Sequence, residues 1–340
     1  MYNNFINLAC SHHQRGEHEM RERRRRKNMA KNEKTSISLA YQLFVNDKKT
    51  DNLSKATLST YDLHIRYFIN SLDLQDTNCS FLNDSNMYQE FVEELQEDGN
   101  KKDVTVTSYC RSVRAFLYWL QDNEYCDPYP LKLPKYQHTI KKTYDADELA
   151  VLLKKPKDCT EVEYQTWVFI NFVCATGIRL SSALNVKVND ISRKEKTVYI
   201  QCTKNNKAQS LFLNDNMLSI LNKYIIAFEL ELDDYLFCTA EKTKLAKRSV
   251  QDNVATYNRK LGLKKTSIHL MRHTFAKNYY LQTKDIYTLC QILGHSTIST
   301  TEQYLKDLGV SLADGTAYNP QSLFAKETTK KKRRGKMSVR

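Results

Sequence analysis

Three of the chain's five prolines fall in one short stretch, Asp127-Pro-Tyr-Pro-Leu-Lys-Leu-Pro134. Proline has no amide hydrogen and drives the residue before it out of the helical region, so neither a helix nor a central strand can run through. The stretch reads as an extended linker, continuing to about Thr143, that divides the chain into two domains. At 340 residues the chain is also longer than one core usually serves. Eight glycines in all leave little of the punctuation that an all-β protein needs. Helix should dominate both domains.

Residues 1–35 have no apolar period, contain a basic run and read as a disordered basic segment. Ordered patterning begins just after Met29, which is therefore a candidate start. Residues 36–126 read as a helical bundle. Ile37, Leu39, Ala40, Leu43 and Phe44 form one apolar stripe, and Leu58, Tyr61, Ile65, Phe68, Ile69 and Leu72 form another. Ser54 and Asp84 are the expected N-caps of the second and third helices. A fourth helix, from about Val104 to Asn123, carries Val106, Tyr109, Val113, Phe116, Leu117 and Leu120. After the linker (127–143), Asp145 or Asp147 opens a second domain over 144–310. It holds an apolar helix over 161–175 and two alternating strands, Thr197-Val-Tyr-Ile-Gln-Cys202 and Gln209-Ser-Leu-Phe-Leu213, joined by the polar turn Thr203-Lys-Asn-Asn-Lys207. Helices follow over 215–230 and 248–261, then short segments to about Lys306. Residues 311–340 form a tail with a basic end. The expected fold is mainly α, with a small β-sheet confined to the second, mixed α/β domain.

The net charge is +13, but nearly all of it lies in Arg21-Glu-Arg-Arg-Arg-Arg-Lys27 and in the run from Lys330 to Arg340. These read as solvated tails that add salt-sensitive attraction to nucleic acid. The body is close to neutral, so a DNA-binding face there needs segregated charge, for which Lys242, Lys244, Lys247, Arg248, Lys264 and Lys265 are candidates. No apolar run approaches a membrane span and residues 1–30 lack a signal-peptide core, which predicts a cytoplasmic protein with no membrane partner. Nine cysteines are scattered without a Cys-x-x-Cys pair or a Cys/His cluster at zinc spacing, so reduced thiols, no metal and no cofactor are expected.

A few residues suggest chemistry. Thr176-Gly177 makes a tight turn before Arg179, whose permanent charge and forked donors suit two phosphate oxygens. His269 and Arg272 share one face of a helix that Ser267 can cap. Lys204 and Lys207 sit at the hairpin tip, and Gly294 suits a turn that aims His295 inward. Tyr304 lies on the short helix that follows. Alone, each has a bland explanation: a salt-bridged arginine, a surface pair, a solvated tip, a structural histidine, one of 21 tyrosines. Together and in this order they make a site for handling a phosphodiester.

The ordered set resembles the tyrosine recombinase (phage integrase) family. The resemblance rests on Thr176-Gly-Ile-Arg179, Lys204 in the hairpin, His269-Leu-Met-Arg272-His-Thr-Phe-Ala276, and Leu293-Gly-His295 with Tyr304 after it. It extends to the bundle through Ser59-Thr-Tyr61 and Ser112-Val-Arg-Ala-Phe-Leu-Tyr-Trp-Leu120, and covers roughly residues 36–310. Two departures stand out. Ser182 occupies a position usually acidic, which predicts a less firmly held Arg179, and the arginine often found after the second hairpin lysine is missing, with Gln209 and Ser210 nearby.

The resemblance implies a core-binding, SAM-like bundle and a catalytic domain that clamp a duplex between them. It implies that Tyr304 attacks a DNA phosphodiester, giving a 3′-phosphotyrosyl bond and a 5′-hydroxyl. Arg179 and Arg272 would hold the nonbridging oxygens, with His295 donating a hydrogen bond. Lys204 would protonate the leaving oxygen, and His269 would assist proton transfer at the tyrosine. No metal or nucleotide is implied. The implied partners are double-stranded DNA and a synaptic tetramer of the same chain, with an accessory excision factor as a further partner that integration and excision of a mobile element would allow. The short region before Ser36 leaves no room for an arm-binding domain, so simple inverted-repeat sites are expected, and residues 308–324 read either as a segment that docks on a neighbouring protomer or as a disordered tail. The alternatives are relaxation of supercoils, as by a type IB topoisomerase, and a non-catalytic DNA-binding regulator.

Overall fold

The computed structural model describes residues 35–135, 139–201 and 208–311. Both basic runs, the tail from residue 312 and the hairpin turn with Lys204 and Lys207 lie outside these residues. The chain divides between residues 137 and 138 into two units, each with its own hydrophobic core.

The first unit contains helices α1 (Ile37–Thr50), α2 (Lys55–Ser71), α3 (Asn86–Glu97) and α4 (Asp103–Asp122), with a short 3-10 turn at Cys79–Leu82. The Ser36 and Ser54 hydroxyls accept from the amides of Leu39 and Thr57 at 3.3 and 3.2 Å. At α3 the cap position belongs to Ser85 rather than Asp84, although the Asp84 carboxylate still accepts from the Asn86 amide at 2.8 Å. The buried face of α1 is Ile37, Ala40, Tyr41 and Phe44, whereas Leu39 and Leu43, expected in the stripe, are 49% and 40% exposed. Helical rotation puts both leucines on the flank. Tyr41 goes inside because its hydroxyl donates to Asp62 at 2.7 Å, leaving no polar atom unsatisfied. Phe44 anchors the bundle core, with its ring centroid 5.4 to 5.7 Å from those of Phe116, Tyr61 and Trp119. The proline stretch is extended and lies against this unit: Leu131 is buried, and its amide donates to, and its carbonyl accepts from, the Tyr118 hydroxyl at 3.2 and 3.4 Å.

The second unit is built around one helix. It contains α5 (Ala146–Leu153), α6 (Glu161–Thr176), α7 (Leu180–Ala183), strands β1 (Ile191–Ser192), β2 (Thr197–Ile200) and β3 (Gln209–Phe212), then α8 (Asp215–Ala227), α9 (Lys247–Lys260), α10 (Ile268–Thr283), α11 (Ile286–Leu293) and α12 (Ile298–Asp307). Reciprocal capping boxes, Asp145 with Glu148 and Thr160 with Glu163, start α5 and α6. Trp167, Val168, Phe169, Ile170, Phe172 and Val173 are all buried, so α6 is apolar nearly all round, and α8, α9 and α10 pack against it. The sheet is antiparallel in the order β1-β2-β3, with Ile191 opposite Val198 and Val198 opposite Leu211. β1 was not expected from the sequence, since two residues are too few for alternation to show. A separate cluster of Ala276, Tyr280, Leu289, Leu293, Leu305 and Leu308 joins the end of α10 to α11 and α12.

The basic face proposed over residues 242–265 is largely occupied with structural work. Lys242 donates to the Phe228 and Glu229 carbonyls beyond the end of α8, Lys244 donates to Asn185, and Arg248 pairs with Asp252. Lys265 donates to the Thr143 carbonyl and pairs with Glu148. Lys247 and Lys264 stand exposed. No helix among the described residues is long and apolar enough to cross a membrane. Because α6 is the axis of its unit, Phe172→Ala is expected to destabilise that unit by about 3–5 kcal/mol. Leu39→Ala should cost no more than about 1 kcal/mol, both measured by urea unfolding of the full chain.

Candidate active site

Two left-handed glycine turns shape the site. Gly177 ends α6 at φ 64° and Gly294 ends α11 at φ 59°. A β-carbon at Gly177 would fall 2.3 Å from the Phe275 ring, and one at Gly294 would fall 3.2 Å from Arg179 Nη1, so both turns need glycine for conformation and for space. Helix ends present carbonyls without intrahelical partners. Here side chains meet them. Arg272, on α10 and 7% exposed, donates from Nη1 to the Gly177 carbonyl at 2.5 Å and from Nη2 to the Leu293 carbonyl at 2.8 Å. Arg179 Nη2 donates to the Gly294 carbonyl at 3.4 Å. Gln209, on β3, donates to the Gln291 and Ile292 carbonyls at 2.6 and 2.8 Å. The negative end of the α11 dipole thus faces two guanidinium groups.

Among the described residues neither arginine forms an ion pair with a carboxylate. Burial, and next the neighbouring Arg179 charge, lower the Arg272 pKa to about 10. It remains charged at neutral pH, and the two carbonyls engage only part of its five-donor fork. The site therefore carries two positive charges with no carboxylate partner among the described residues.

Tyr304 lies on α12, whose first turn is capped by the Thr297 hydroxyl. Its Oη is 2.7 Å from His273 Nδ1. Burial raises the phenol pKa, while the Arg272 and Arg179 charges oppose the rise. The His295 ring stands edge-on to Tyr304 at 5.5 Å, with its Nδ1 2.9 Å from the hydroxyl of the fully buried Thr301. Lys141 spans the end of α12: its amide donates to the Asp307 carbonyl at 2.7 Å, its ammonium pairs with the Asp307 carboxylate at 2.8 Å, and the same ammonium lies 5.6 Å from the Tyr304 ring centre. Among the described residues no three His, Cys, Asp or Glu side chains are grouped to hold a metal ion.

Tyrosine recombinase XerC of Staphylococcus epidermidis is 26% identical over 262 residues, which span 74% of this chain and 87% of the relative. Residues 142–308 match the model of the phage integrase family. The chain belongs to the tyrosine recombinase (phage integrase) family. Two solved structures share the fold. The Tn1549 transposon integrase, in complex with transposon right end DNA, matches with a TM-score of 0.65 at 15% identity, over 79% of this chain and 94% of its own. A lambda integrase tetramer bound to a Holliday junction also gives a TM-score of 0.65, at 14% identity, over 82% of this chain and 80% of its own.

In this recombinase Arg179, Arg272, His295 and Tyr304 come together from α6–α7, α10, α11–α12 and α12. Lys204 lies outside the described residues. His269 is exposed on the first turn of α10, and the imidazole hydrogen-bonded with the Tyr304 hydroxyl is that of His273, a residue with no role expected from the sequence. The available signal was a second histidine one turn after His269 on the same helix. Ser267 stands at the N-cap of α10 without a capping hydrogen bond from its side chain. Ser182 is buried in α7, its amide donating to the Arg179 carbonyl at 3.0 Å, while the Arg179 guanidinium is held by a main-chain carbonyl instead of an acidic side chain. Gln209, expected only as the first residue of a strand near a missing arginine, ties β3 to the end of α11.

Gly177→Ala should strain the α6 turn and displace the carbonyl that holds Arg272, lowering stability by about 1–3 kcal/mol in urea unfolding. A pH effect is also expected. Burial, then the Lys141, His269 and Arg272 charges, lower the His273 pKa to about 4, and burial, then Arg272 and Arg179, lower that of His295 to about 4. Between an ordinary value of 6.5 and about 4 the unfolded chain therefore binds more protons at these positions than the folded one. Their contribution is full above about pH 6.5 and declines as the pH falls through this window. A His273→Gln, His295→Gln double variant should show a flatter dependence of unfolding midpoint on pH there.

Proposed function

We propose that Tyr304 of this site-specific recombinase attacks a DNA phosphodiester, forming a 3′-phosphotyrosyl bond and releasing a 5′-hydroxyl. The observation that carries the reading is a largely buried tyrosine hydroxyl that feels the charges of two arginines, which are held by carbonyls and have no carboxylate partner among the described residues. The two charges would offset those of the nonbridging oxygens as they grow in the transition state, and fixed donors in a partly buried site do this better than water. His295 would add a hydrogen bond, and Lys204 would protonate the leaving 5′-oxygen. The ester conserves the energy of the broken bond, so a 5′-hydroxyl from a second duplex can reverse the step and complete strand exchange.

The substrate in this proposal is double-stranded DNA, bound by a synaptic tetramer of the chain, and the biological outcome is integration and excision of a mobile element, with an accessory factor directing excision. The basic runs at both ends favour that outcome by strengthening salt-sensitive DNA attraction.

The test is a nicked suicide duplex carrying sequence from the flanks of the gene, incubated with the full chain and resolved under denaturing conditions. Wild type should form a covalent adduct and Tyr304→Phe none. Arg272→Ala should slow adduct formation by about 10²–10³-fold. No wild-type adduct on a duplex that the protein demonstrably binds would leave the non-catalytic regulator as the better reading. Relaxation of supercoiled DNA without recombinant products would favour the topoisomerase.

A further inference from the structure

The family resemblance assigns proton transfer at the tyrosine to His269, yet the group on the Tyr304 hydroxyl is a different one. His273 Nδ1 lies 2.7 Å from Tyr304 Oη, with the two ring centres 5.3 Å apart. The imidazole is half-buried beside the residue that holds the phosphate-binding charge. We propose that His273 is the proton acceptor of the nucleophile, and that a phosphodiester seated against Arg179 and Arg272 switches it on. The inference rests on Tyr304 being the nucleophile.

The step balances without a co-reactant. Tyr304 Oη forms its bond to phosphorus, the P–O5′ bond breaks, the phenol proton moves to His273 Nδ1, and the departing O5′ takes a proton from Lys204. Nδ1 accepts a hydrogen bond from the neutral phenol when the ring proton sits on Nε2, and this directs the O–H bond toward α10, leaving an oxygen lone pair for the phosphorus.

The charged groups facing His273 explain why substrate must act as the switch. Lys141 from the segment before α5, and His269 and Arg272 from its own helix, all disfavour an imidazolium, and Asp307 at the end of α12 is the acidic group that opposes them. Tyr304 completes the surroundings. Without DNA the imidazole is therefore a poor base and the tyrosine stays protonated. A phosphodiester adds negative charge next to Arg272, which offsets this repulsion and raises the basicity of His273 only when the target is present. The same anion would raise the phenol pKa, so a positioned acceptor matters more once substrate is bound.

Single-turnover cleavage of the suicide duplex by the full chain tests this with His273→Gln, whose amide can keep a hydrogen bond but cannot take the proton, and with His273→Phe, which keeps the ring packing. Both should cleave about 10²-fold more slowly than wild type at pH 7. The deficit should shrink as pH rises and a growing fraction of the phenol ionises without help. On a duplex with a 5′-bridging phosphorothiolate, whose thiolate leaves without protonation, Lys204→Ala should recover and the His273 variants should not. Cleavage at or above the wild-type rate would overturn the proposal and make the hydrogen bond a resting latch. A deficit independent of pH would overturn it in favour of a structural role. Adduct formation by wild type and its loss in Tyr304→Phe test the nucleophile separately, so failure of that reading cannot be confused with failure of this one.

Discussion

The second unit depends on how a buried guanidinium is kept charged. A cation taken out of water is costly unless hydrogen bonds replace its hydration. Most proteins would meet that cost with a carboxylate. Here the Gly177 and Leu293 carbonyls hold Arg272, and the Gly294 carbonyl holds Arg179. A carboxylate would have cancelled the charge that a phosphate needs. Carbonyls hold the group in place with dipoles and leave the net charge intact. Two helices must then end at fixed points, in left-handed turns that only glycine fits without strain or collision.

That choice propagates into the acid–base character of the pocket. Burial keeps both histidines neutral over the ordinary pH range, helped by the Lys141, His269 and Arg272 charges at His273 and by Arg272 and Arg179 at His295, and the two arginines work against the rise that burial imposes on the Tyr304 phenol. The free protein is thus poised for an anion, not for proton transfer. Consecutive residues of α10 divide the labour: Arg272 turns toward the glycine turns while His273 turns toward α12. A single helix therefore couples the group that would bind phosphate to the group that touches the hydroxyl.

Much of this was legible along the chain. The proline stretch, the Ser54 cap and the apolar α6 announce themselves through backbone chemistry and periodicity, which are local properties. Glycines 177 and 294 were likewise readable as turns beside an arginine and a histidine. What was misread depended on partners distant in sequence. Leu39 and Leu43 fit a helical stripe, yet Tyr41 is inside because Asp62 is waiting for its hydroxyl. The basic residues over 242–265 looked like a DNA face, yet Lys242 meets carbonyls beyond the end of α8 and Lys265 pairs with Glu148 of α5. β1 was too short to leave a pattern.

The sequence by itself determined the family, the helical character and the order of Arg179, Arg272, His295 and Tyr304, because turns, caps and apolar period are written in neighbouring residues. It could not choose between His269 and His273. Both lie on α10 one turn apart, and which imidazole reaches Tyr304 depends on how α10 is rotated against α12. That rotation is set by the packing of Ala276, Tyr280, Leu293 and Leu305. Nor could it show that Gln209 would serve the carbonyls of α11, a contact between residues far apart in the chain. Only tertiary packing, which fixes distances between side chains on different elements to within a hydrogen bond, decided both.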